Sequence, residues 1–450
     1  MTSEREREPG WHRLPRRAAL LAPLALGGCG LFDDWFGTKK TPLPGKREAV
    51  AVARRGLSVD DSAPKVVLPP PVRNAAWPQA GGNPAHLMGN LAAAPRLTEA
   101  WRADIGEGGG YRRKILAQPV SFGGVVYTMD SDATVSAFQL SSGARLWRAD
   151  TVPEDMDSTN VGGGICFDQG TVYAANGVSQ LVALDAAKGT QKWRKDIGAP
   201  ARSAPTVADG RIFLTTIEDR LLAMAAEDGR PLWSHQATDT RSAVLGQPAP
   251  AYARGLVVAG FGSGELAALR ADSGVAVWTD NLGAARGRAS IADFLSVRGA
   301  PVISGGQVFA IGMGGLAVGI DLPTGRRLWE REVSGEDTPY VAGGWLFLIS
   351  LQQEMAAISL ADGRIPWITS LPRYDNPEKQ KGLLTWYGPV LIGDRLVVTG
   401  TNEDALSISP YTGDILGRQA LSAAAAPVSP IVVDGTLLVI SDDGRLLALR

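Results

Sequence analysis

The sequence contains few of the residues that perform nucleophilic or metal chemistry. It has 2 cysteines and 3 histidines in 450 residues, too few for a disulfide framework or a thiolate zinc site. Its 45 Lys and Arg residues are balanced by 46 Asp and Glu residues, so no excess of charge favours nucleic acid. The apolar run at residues 18–26 is shorter than the ~20 residues that cross a bilayer. Most metal, nucleophile and nucleic-acid functions are therefore not expected.

The composition is nevertheless that of a folded chain. Apolar residues make up 45% and charged residues 20% of the sequence, which excludes disorder throughout. The 54 glycines and 29 prolines indicate many turns. The length allows three ordinary domains or one large all-β or α/β domain.

The first 28 residues are typical of a secretory signal. Three arginines among residues 13–17 precede the apolar run, which is followed by Leu26-Gly27-Gly28-Cys29. This ending resembles a bacterial lipobox, and the resemblance implies cleavage before Cys29 and lipid attachment to it. Stable anchoring needs more than one acyl chain, which such processing supplies. The alternative is an ordinary signal peptide that has a cysteine near its cleavage site.

Residues 29–72 are rich in proline and charge and show no sustained periodicity. We interpret them as a flexible tether between the lipid and the folded body. By resemblance to lipoprotein sorting signals, Gly30 in place of the aspartate that retains lipoproteins at the inner membrane favours transport to the outer membrane.

The remaining chain repeats one motif. Each copy has a glycine-led apolar strand, a second strand of the form Leu-x-Ala-Leu, a tight turn and a third strand that ends in tryptophan. The tryptophans recur about every 44 residues, which is the length of a four-stranded propeller blade. The residues that mark this position are Trp101, Trp147, Trp193, Trp233, Trp278, Trp329 and Trp367.

The two ends of the repeat array predict a closed ring. A seventh copy has Gly417 where tryptophan is expected, and an eighth copy lacks its last strand. An unpaired strand that contains Trp101 precedes the first copy and supplies the missing one. We therefore predict an all-β fold over residues 73–450. It is an eight-bladed β-propeller of four-stranded antiparallel blades, closed by the N-terminal strand that completes the C-terminal blade.

The Gly-x-x-x-Trp endings resemble the tryptophan-docking repeats of quinoprotein propellers. We interpret the tryptophans as structural, each packing between neighbouring blades. The resemblance implies, for a pyrroloquinoline-quinone (PQQ) enzyme, a calcium site and a pair of adjacent cysteines near the cofactor. Cys166 has no neighbouring cysteine, and it is more simply a buried apolar residue. No cofactor, metal or catalytic residue is therefore predicted.

Together, the lipobox, the tether and the propeller resemble the BamB family of the β-barrel assembly machinery. The resemblance implies a non-enzymatic lipoprotein on the periplasmic face of the outer membrane. It would bind the periplasmic domains of the barrel-inserting subunit BamA and other machinery subunits, as a monomer within a hetero-complex, without nucleic acid or a small-molecule substrate. The alternative function is a periplasmic PQQ-type oxidoreductase or a small-ligand-binding propeller.

In that family, the loops that contact the partner lie between the third and fifth copies of the repeat. The corresponding segments here are residues 239–246 and 286–298, which interrupt the repeat spacing. By resemblance, the predicted partner-binding residues are Arg241, Val244, Leu245, Asp293 and Arg298. Val244 and Leu245 match the family's apolar contacts in type, whereas Arg298 stands where a carboxylate is expected. Alternatively, the second segment is a long connection that packs in the core.

Overall fold

The computed structural model describes residues 57–111, 113–156, 162–238, 246, 248–283 and 295–450, all within one unit that spans Arg54–Arg450. The described residues form strands, turns and loops, arranged as eight four-stranded sheets and one two-stranded hairpin. They contain no helix with the length and apolar character needed to cross a membrane. The predicted all-β, eight-bladed propeller is confirmed.

The first strand and the first four blades occupy the N-terminal half of the ring. They are β1 (Glu99–Asp104); β2 (Val120–Phe122), β3 (Val125–Met129), β4 (Thr134–Gln139) and β5 (Arg145–Asp150) in blade 1; β6 (Gly163–Asp168), β7 (Thr171–Asn176), β8 (Gln180–Asp185) and β9 (Gln191–Asp196) in blade 2; β10 (Thr206–Ala208), β11 (Arg211–Thr215), β12 (Arg220–Ala225) and β13 (Pro231–Gln236) in blade 3; and β14 (Ala251–Ala253), β15 (Leu256–Gly260), β16 (Glu265–Arg270) and β17 (Ala276–Asn281) in blade 4.

The other four blades follow in the same order, with one hairpin between blades 6 and 7. They are β18 (Val302–Ser304), β19 (Gln307–Ile311), β20 (Leu316–Asp321) and β21 (Arg327–Glu332) in blade 5; β22 (Tyr340–Ala342), β23 (Trp345–Ile349), β24 (Glu354–Ser359) and β25 (Trp367–Ser370) in blade 6; the hairpin β26 (Tyr374–Asn376) and β27 (Lys381–Leu383); β28 (Trp386–Ile392), β29 (Arg395–Gly400), β30 (Asp404–Ile408) and β31 (Ile415–Ala420) in blade 7; and β32 (Ile431–Val433), β33 (Thr436–Ile440) and β34 (Arg445–Leu449) in blade 8.

Blade 8 is completed by the N-terminal strand, as predicted. Strand β1 pairs antiparallel with β34, with Trp101 opposite Ala448 and Asp104 opposite Arg445. The ring is therefore closed by hydrogen bonds between the two ends of the propeller sequence, and β34 is not left as an open edge.

Burial follows the position of each strand within its blade. The second and third strands are buried almost throughout, because each blade is covered on both faces by its neighbours. The fourth strands form the outer wall and alternate exposed with half-buried positions. This explains why the inner sequences are continuous apolar runs and the outer ones carry most of the charge.

The seven repeat tryptophans dock on glycines of the next blade. In each case the glycine lies in the turn between the third and fourth strands of the next blade. A Cβ added to it would lie 2.5–2.9 Å from a ring atom of the tryptophan. The pairs, tryptophan first, are Trp101–Gly143, Trp147–Gly189, Trp193–Gly229, Trp233–Gly274, Trp278–Gly325, Trp329–Gly363 and Trp367–Gly413. The indole N–H often donates to a backbone carbonyl beside the same turn, as from Trp278 to Leu322 at 2.7 Å and from Trp329 to Leu360 at 2.9 Å. Each dock thus covers an aromatic ring at least in part, and most of the docks also satisfy its one donor.

The interface between blades 7 and 8, here called the seam, has no such dock. Gly417 occupies the tryptophan position on β31, and a Cβ added there would meet no atom within 4 Å. The physical reason is the composite nature of blade 8. Its third strand β34 and fourth strand β1 are separate segments of the chain, so blade 8 offers no third-to-fourth-strand turn on which an indole could dock.

Residues 72–94, here called the belt, cross the innermost strands of all eight blades at one end of the ring. The contacts are hydrogen bonds, most of them between backbone groups. In blade order they join Ser121 to Trp77, Phe167 to Pro78, Val207 to Gln79, Tyr252 to Pro84, Ile303 to Ala85, Tyr340 to Gly89, Leu391 to Leu91 and Val432 to Asn74. The belt therefore closes that end of the central channel. No sequence pattern predicts the belt, because backbone hydrogen bonds need no periodic side chains.

The residues just before the belt also contact the propeller. The backbone N–H of Asp60 donates to Ile365 at 2.8 Å, and its carboxylate pairs with Arg331 at 2.8 Å. Arg364 donates to the carbonyl of Ser62 at 2.8 Å. From Leu57 onward, the segment that we interpret as a tether is thus docked on blade 5 by an ion pair and on blade 6 by hydrogen bonds.

The docking geometry predicts which glycine substitutions are costly. Gly325 and Gly255 both have left-handed φ values, +72° and +76°, but only the Cβ of Gly325→Ala would clash, 2.5 Å from Trp278, while that of Gly255→Ala meets open space. Each substitution should cost ~1 kcal/mol from backbone strain, and Gly325→Ala should cost roughly 2 kcal/mol more from the clash. Denaturant unfolding of both variants measures the difference. Equal losses of stability would contradict the docking role of Trp278.

Candidate functional site

The predicted partner-binding and lipidation residues lie largely outside the described part of the chain. This holds for Cys29, Arg241, Val244, Leu245 and Asp293. The structure describes Arg298, which lies in the connection between blades 4 and 5 and is half-buried. What the structure adds is the position of the described residues that flank the two predicted segments.

Both segments leave the face of the ring opposite the belt. Strands alternate in direction within a blade, so the connections from one blade to the next all lie at one end, here called the connection face, and the belt lies at the other. Thr238 enters the first segment and is held there by hydrogen bonds from its N–H and its hydroxyl to Glu265, at 3.1 and 2.8 Å. Gly246 leaves it beside the Arg298 side chain. The first segment therefore ends against a residue of the second.

The second segment, residues 286–298, is described from Leu295 onward. A Cβ added at Gly283 would lie 2.8 Å from Cβ of Leu295, so the residues on either side of positions 284–294 are in contact. Leu295 is half-buried, while Ser296 and Val297 are buried. The end of the segment at Val297 thus packs in the core, while positions 284–294 lie outside the described residues.

A cavity lies on the propeller axis between the belt and the connection face. Its volume is about 160 Å³, and it is lined by residues that precede the innermost strand of each blade. Belt residues Trp77, Gly81 and His86 form its floor. The His86 Nδ1–H donates to the carbonyl of Pro301 at 2.7 Å, and burial lowers the pKa of His86 to about 4, so its ring is neutral at pH 7.

The charged groups of the cavity wall come from neighbouring connections. Arg298 forms a short ion pair with Glu336, which links the connection between blades 4 and 5 to that between blades 5 and 6. Next to it, burial and the adjacent Glu336 carboxylate raise the pKa of Asp337 to about 8, while Arg298 opposes this. Because burial raises this pKa above 7, Asp337 is largely protonated at neutral pH. The sequence could not indicate this arrangement, since residues 298 and 336 are brought together only by the ring.

The residues present do not fit a PQQ site. Cys166 is fully buried in β6, and burial raises the pKa of its thiol, so it offers no half-cystine pair to the axis. In the described part of the chain, no three His, Cys, Asp or Glu side chains are grouped to hold a metal ion. A cavity of 150 Å³ accommodates a ligand of benzene size, which is smaller than a tricyclic quinone with three carboxylates.

The hairpin β26–β27 was not predicted from the sequence. It lies in the connection between blades 6 and 7, with Tyr374 paired to Leu383, and the Leu383 side chain is 68% exposed. The turn residues Asn376 and Pro377 between two short polar segments are the signal that could have identified it. It lies on the connection face, like the other connections between blades.

The raised pKa of Asp337 makes the folding stability of the protein depend on pH. Unfolded aspartate ionises near pH 4, whereas folded Asp337 keeps its proton to about pH 8. Between these values the folded state binds more protons, so Asp337 lowers stability progressively as pH rises. Asp337→Asn should therefore gain stability relative to wild type between pH 5 and pH 8, by about 1.4 kcal/mol for each pH unit at most.

Urea unfolding at pH 5 and pH 8 measures this gain. Asp362→Asn is the control, because burial raises the pKa of Asp362 but hydrogen bonds from Ser359 and Arg364 lower it overall. Its stability difference from wild type should not change between these two pH values. A pH-independent difference for Asp337→Asn would show that Asp337 is ionised in the folded protein.

Comparison with known proteins gives one consistent result. Residues 131–369 match the family model described as "Outer membrane protein assembly factor BamB". The protein of that name from Salmonella typhimurium is 28% identical over 357 residues, covering 78% of this chain and 88% of that protein. The one from Yersinia pestis is 26% identical over 241 residues, covering 52% of this chain and 61% of that protein.

Solved structures share the fold. BamB from Moraxella catarrhalis superposes with a TM-score of 0.67 at 21% identity and covers 79% of this chain and all of that chain. A quinohemoprotein alcohol dehydrogenase from Pseudomonas putida gives a TM-score of 0.66 at 14% identity, covering 84% and 80%. At these identities the likeness shows the propeller alone. The family match, however, spans more than half of the chain, and the chain belongs to the family of the outer membrane protein assembly factor BamB.

Proposed function

We propose that the chain is a non-enzymatic assembly factor for outer-membrane proteins, held at the periplasmic face of the outer membrane. The family match over residues 131–369 carries this proposal, and relatives that align with most of their length bear the same name. The axial cavity also supports the proposal, because its size and lining do not fit the quinone of the dehydrogenases that share the fold.

The partner is the barrel-inserting subunit BamA, bound through its periplasmic domains at residues 239–246 and 286–298. Two observations support one continuous surface there. Both segments leave the connection face between blades 3 and 5, and Gly246 lies against Arg298. Recognition would rest on the apolar pair Val244 and Leu245, surrounded by the charges of Arg241, Asp293 and Arg298. Other subunits of the machinery would join the same complex.

Arg298 is a weaker contact than the sequence suggested. Its guanidinium is already paired with Glu336, and its side chain is 22% exposed. In the proposed complex it therefore positions the base of the second segment more than it meets the partner directly.

Partner binding is tested by affinity purification from detergent-solubilised membranes. Val244→Asp/Leu245→Asp should abolish co-purification of BamA, since two buried carboxylates in an interface each cost several kcal/mol. The matched control is Ile415→Asp/Leu416→Asp, the same change at two exposed residues of β31 on blade 7. The control should retain BamA.

The outcomes distinguish an error in the proposed site from an error in the proposed function. Loss in both variants, or in neither, would contradict a site at residues 239–246. If wild type itself brings down no subunit of the machinery, the proposed function is wrong, whatever the variants do. Circular dichroism of each variant checks that the propeller is intact.

Lipid attachment is tested at Cys29. Wild type should partition into the membrane fraction and show the mass of an acylated protein that begins at residue 29, whereas Cys29→Ser should be soluble and unacylated. The matched control is Cys166→Ser, at the buried cysteine of β6, which should leave acylation unchanged. Acylation of Cys29→Ser would show that the lipid is carried elsewhere.

A further inference from the structure

The seam differs from the other blade interfaces in what holds it. Seven interfaces have an indole docked on a glycine, and at the seam Gly417 leaves that place open. The pairing of β1 with β34 does not replace the dock, because it lies within blade 8.

One end of the belt is fixed to blade 7 beside the seam. The backbone of Leu91 accepts from Gly393 at 2.7 Å and donates to Leu391 at 3.3 Å. The Asn90 side chain donates to Asp394 at 2.9 Å, and Arg395 donates to the carbonyl of Ala94 at 2.7 Å. These bonds connect the belt to the turn between the first two strands of blade 7.

The other end is fixed to the equivalent turn of blade 8. The carbonyl of Asn74 accepts from the N–H of Asp434 at 2.7 Å, and its side chain donates to the carbonyl of Val432 at 2.8 Å. Arg73 pairs with the Asp434 carboxylate at 2.9 Å, but its side chain is 78% exposed, so that pair contributes little.

The two ends are bonded to each other between the blades. The N–H of Val72 donates to Asn90 at 2.9 Å, and its carbonyl accepts from Ala92 at 2.8 Å. Val72 and Leu91 thus form a parallel bridge, and Leu91 continues this bridge to Ile392 of blade 7. A short path of backbone hydrogen bonds therefore runs from blade 8 through the belt to blade 7.

We propose that the belt stabilises the ring at the seam, where its joined ends replace the missing tryptophan dock. When the belt ends are released, the ring opens first between blades 7 and 8. The belt crosses every blade, but only at the seam do two of its segments meet and bond to both neighbours. Its position matches the one interface that the composite blade 8 leaves without an indole.

Native-state amide hydrogen exchange of the full chain, under increasing urea below the unfolding transition, tests this inference. The reporters are the seam amides of Gly393 and Asp434, compared with amides of β12 and β16 in blades 3 and 4. In wild type the seam amides should open at lower free energy than the blade 3 and 4 amides. Equal opening free energies in wild type would overturn the proposal without any variant.

Two sets of variants then test which part of the belt stabilises the seam. Asn74→Ala/Asn90→Ala removes the side-chain bonds at the two joined ends, whereas Gln79→Ala removes two from the same belt at Val207 in blade 3. The first should speed seam exchange about tenfold or more and leave blades 3 and 4 within twofold. Gln79→Ala should not accelerate the seam selectively. The same exchange pattern in both variants would show that the belt only adds general stability.

Discussion

The contact between an indole and the bare backbone of a glycine in the next blade governs this propeller. A single blade cannot cover both of its faces, so its stability depends on its neighbours. The dock makes that dependence specific, because a side chain at Gly325 or its equivalents would displace the ring of the preceding tryptophan. It also joins the outer strand of one blade to the outer turn of the next. Apolar packing of the inner strands and docking at the rim therefore fix the same blade spacing.

The parts of the fold that could be predicted are those in which both partners have a fixed spacing in the sequence. Gly-x-x-x-Trp recurs with each blade, so the number of blades, the closing strand that contains Trp101 and the exception at Gly417 follow from the pattern. The belt could not be predicted, because most of its contacts use backbone groups from a segment that has no periodicity. Asp337 was missed for another reason: its environment depends on Arg298 and Glu336, which belong to different blade connections.

The two ends of the ring have different structural tasks. The belt closes one end with hydrogen bonds to every blade. The connection face carries the hairpin β26–β27 and the described residues that flank positions 239–245 and 284–294. Such segments can vary without disturbing the strands, because the docks and the belt lie elsewhere. This separation explains how a fold shared with quinone-dependent dehydrogenases at 14% identity can support an unrelated function.

The docking of residues 60–62 on blades 5 and 6 has a mechanical consequence. A pulling force applied to the chain ahead of Leu57 reaches the ion pair of Asp60 with Arg331 and the bond between Ser62 and Arg364 before it reaches Val72. These contacts would break first and release about 15 residues, or roughly 50 Å when extended. The contacts with blades 5 and 6 thus protect the joined ends of the belt from tension.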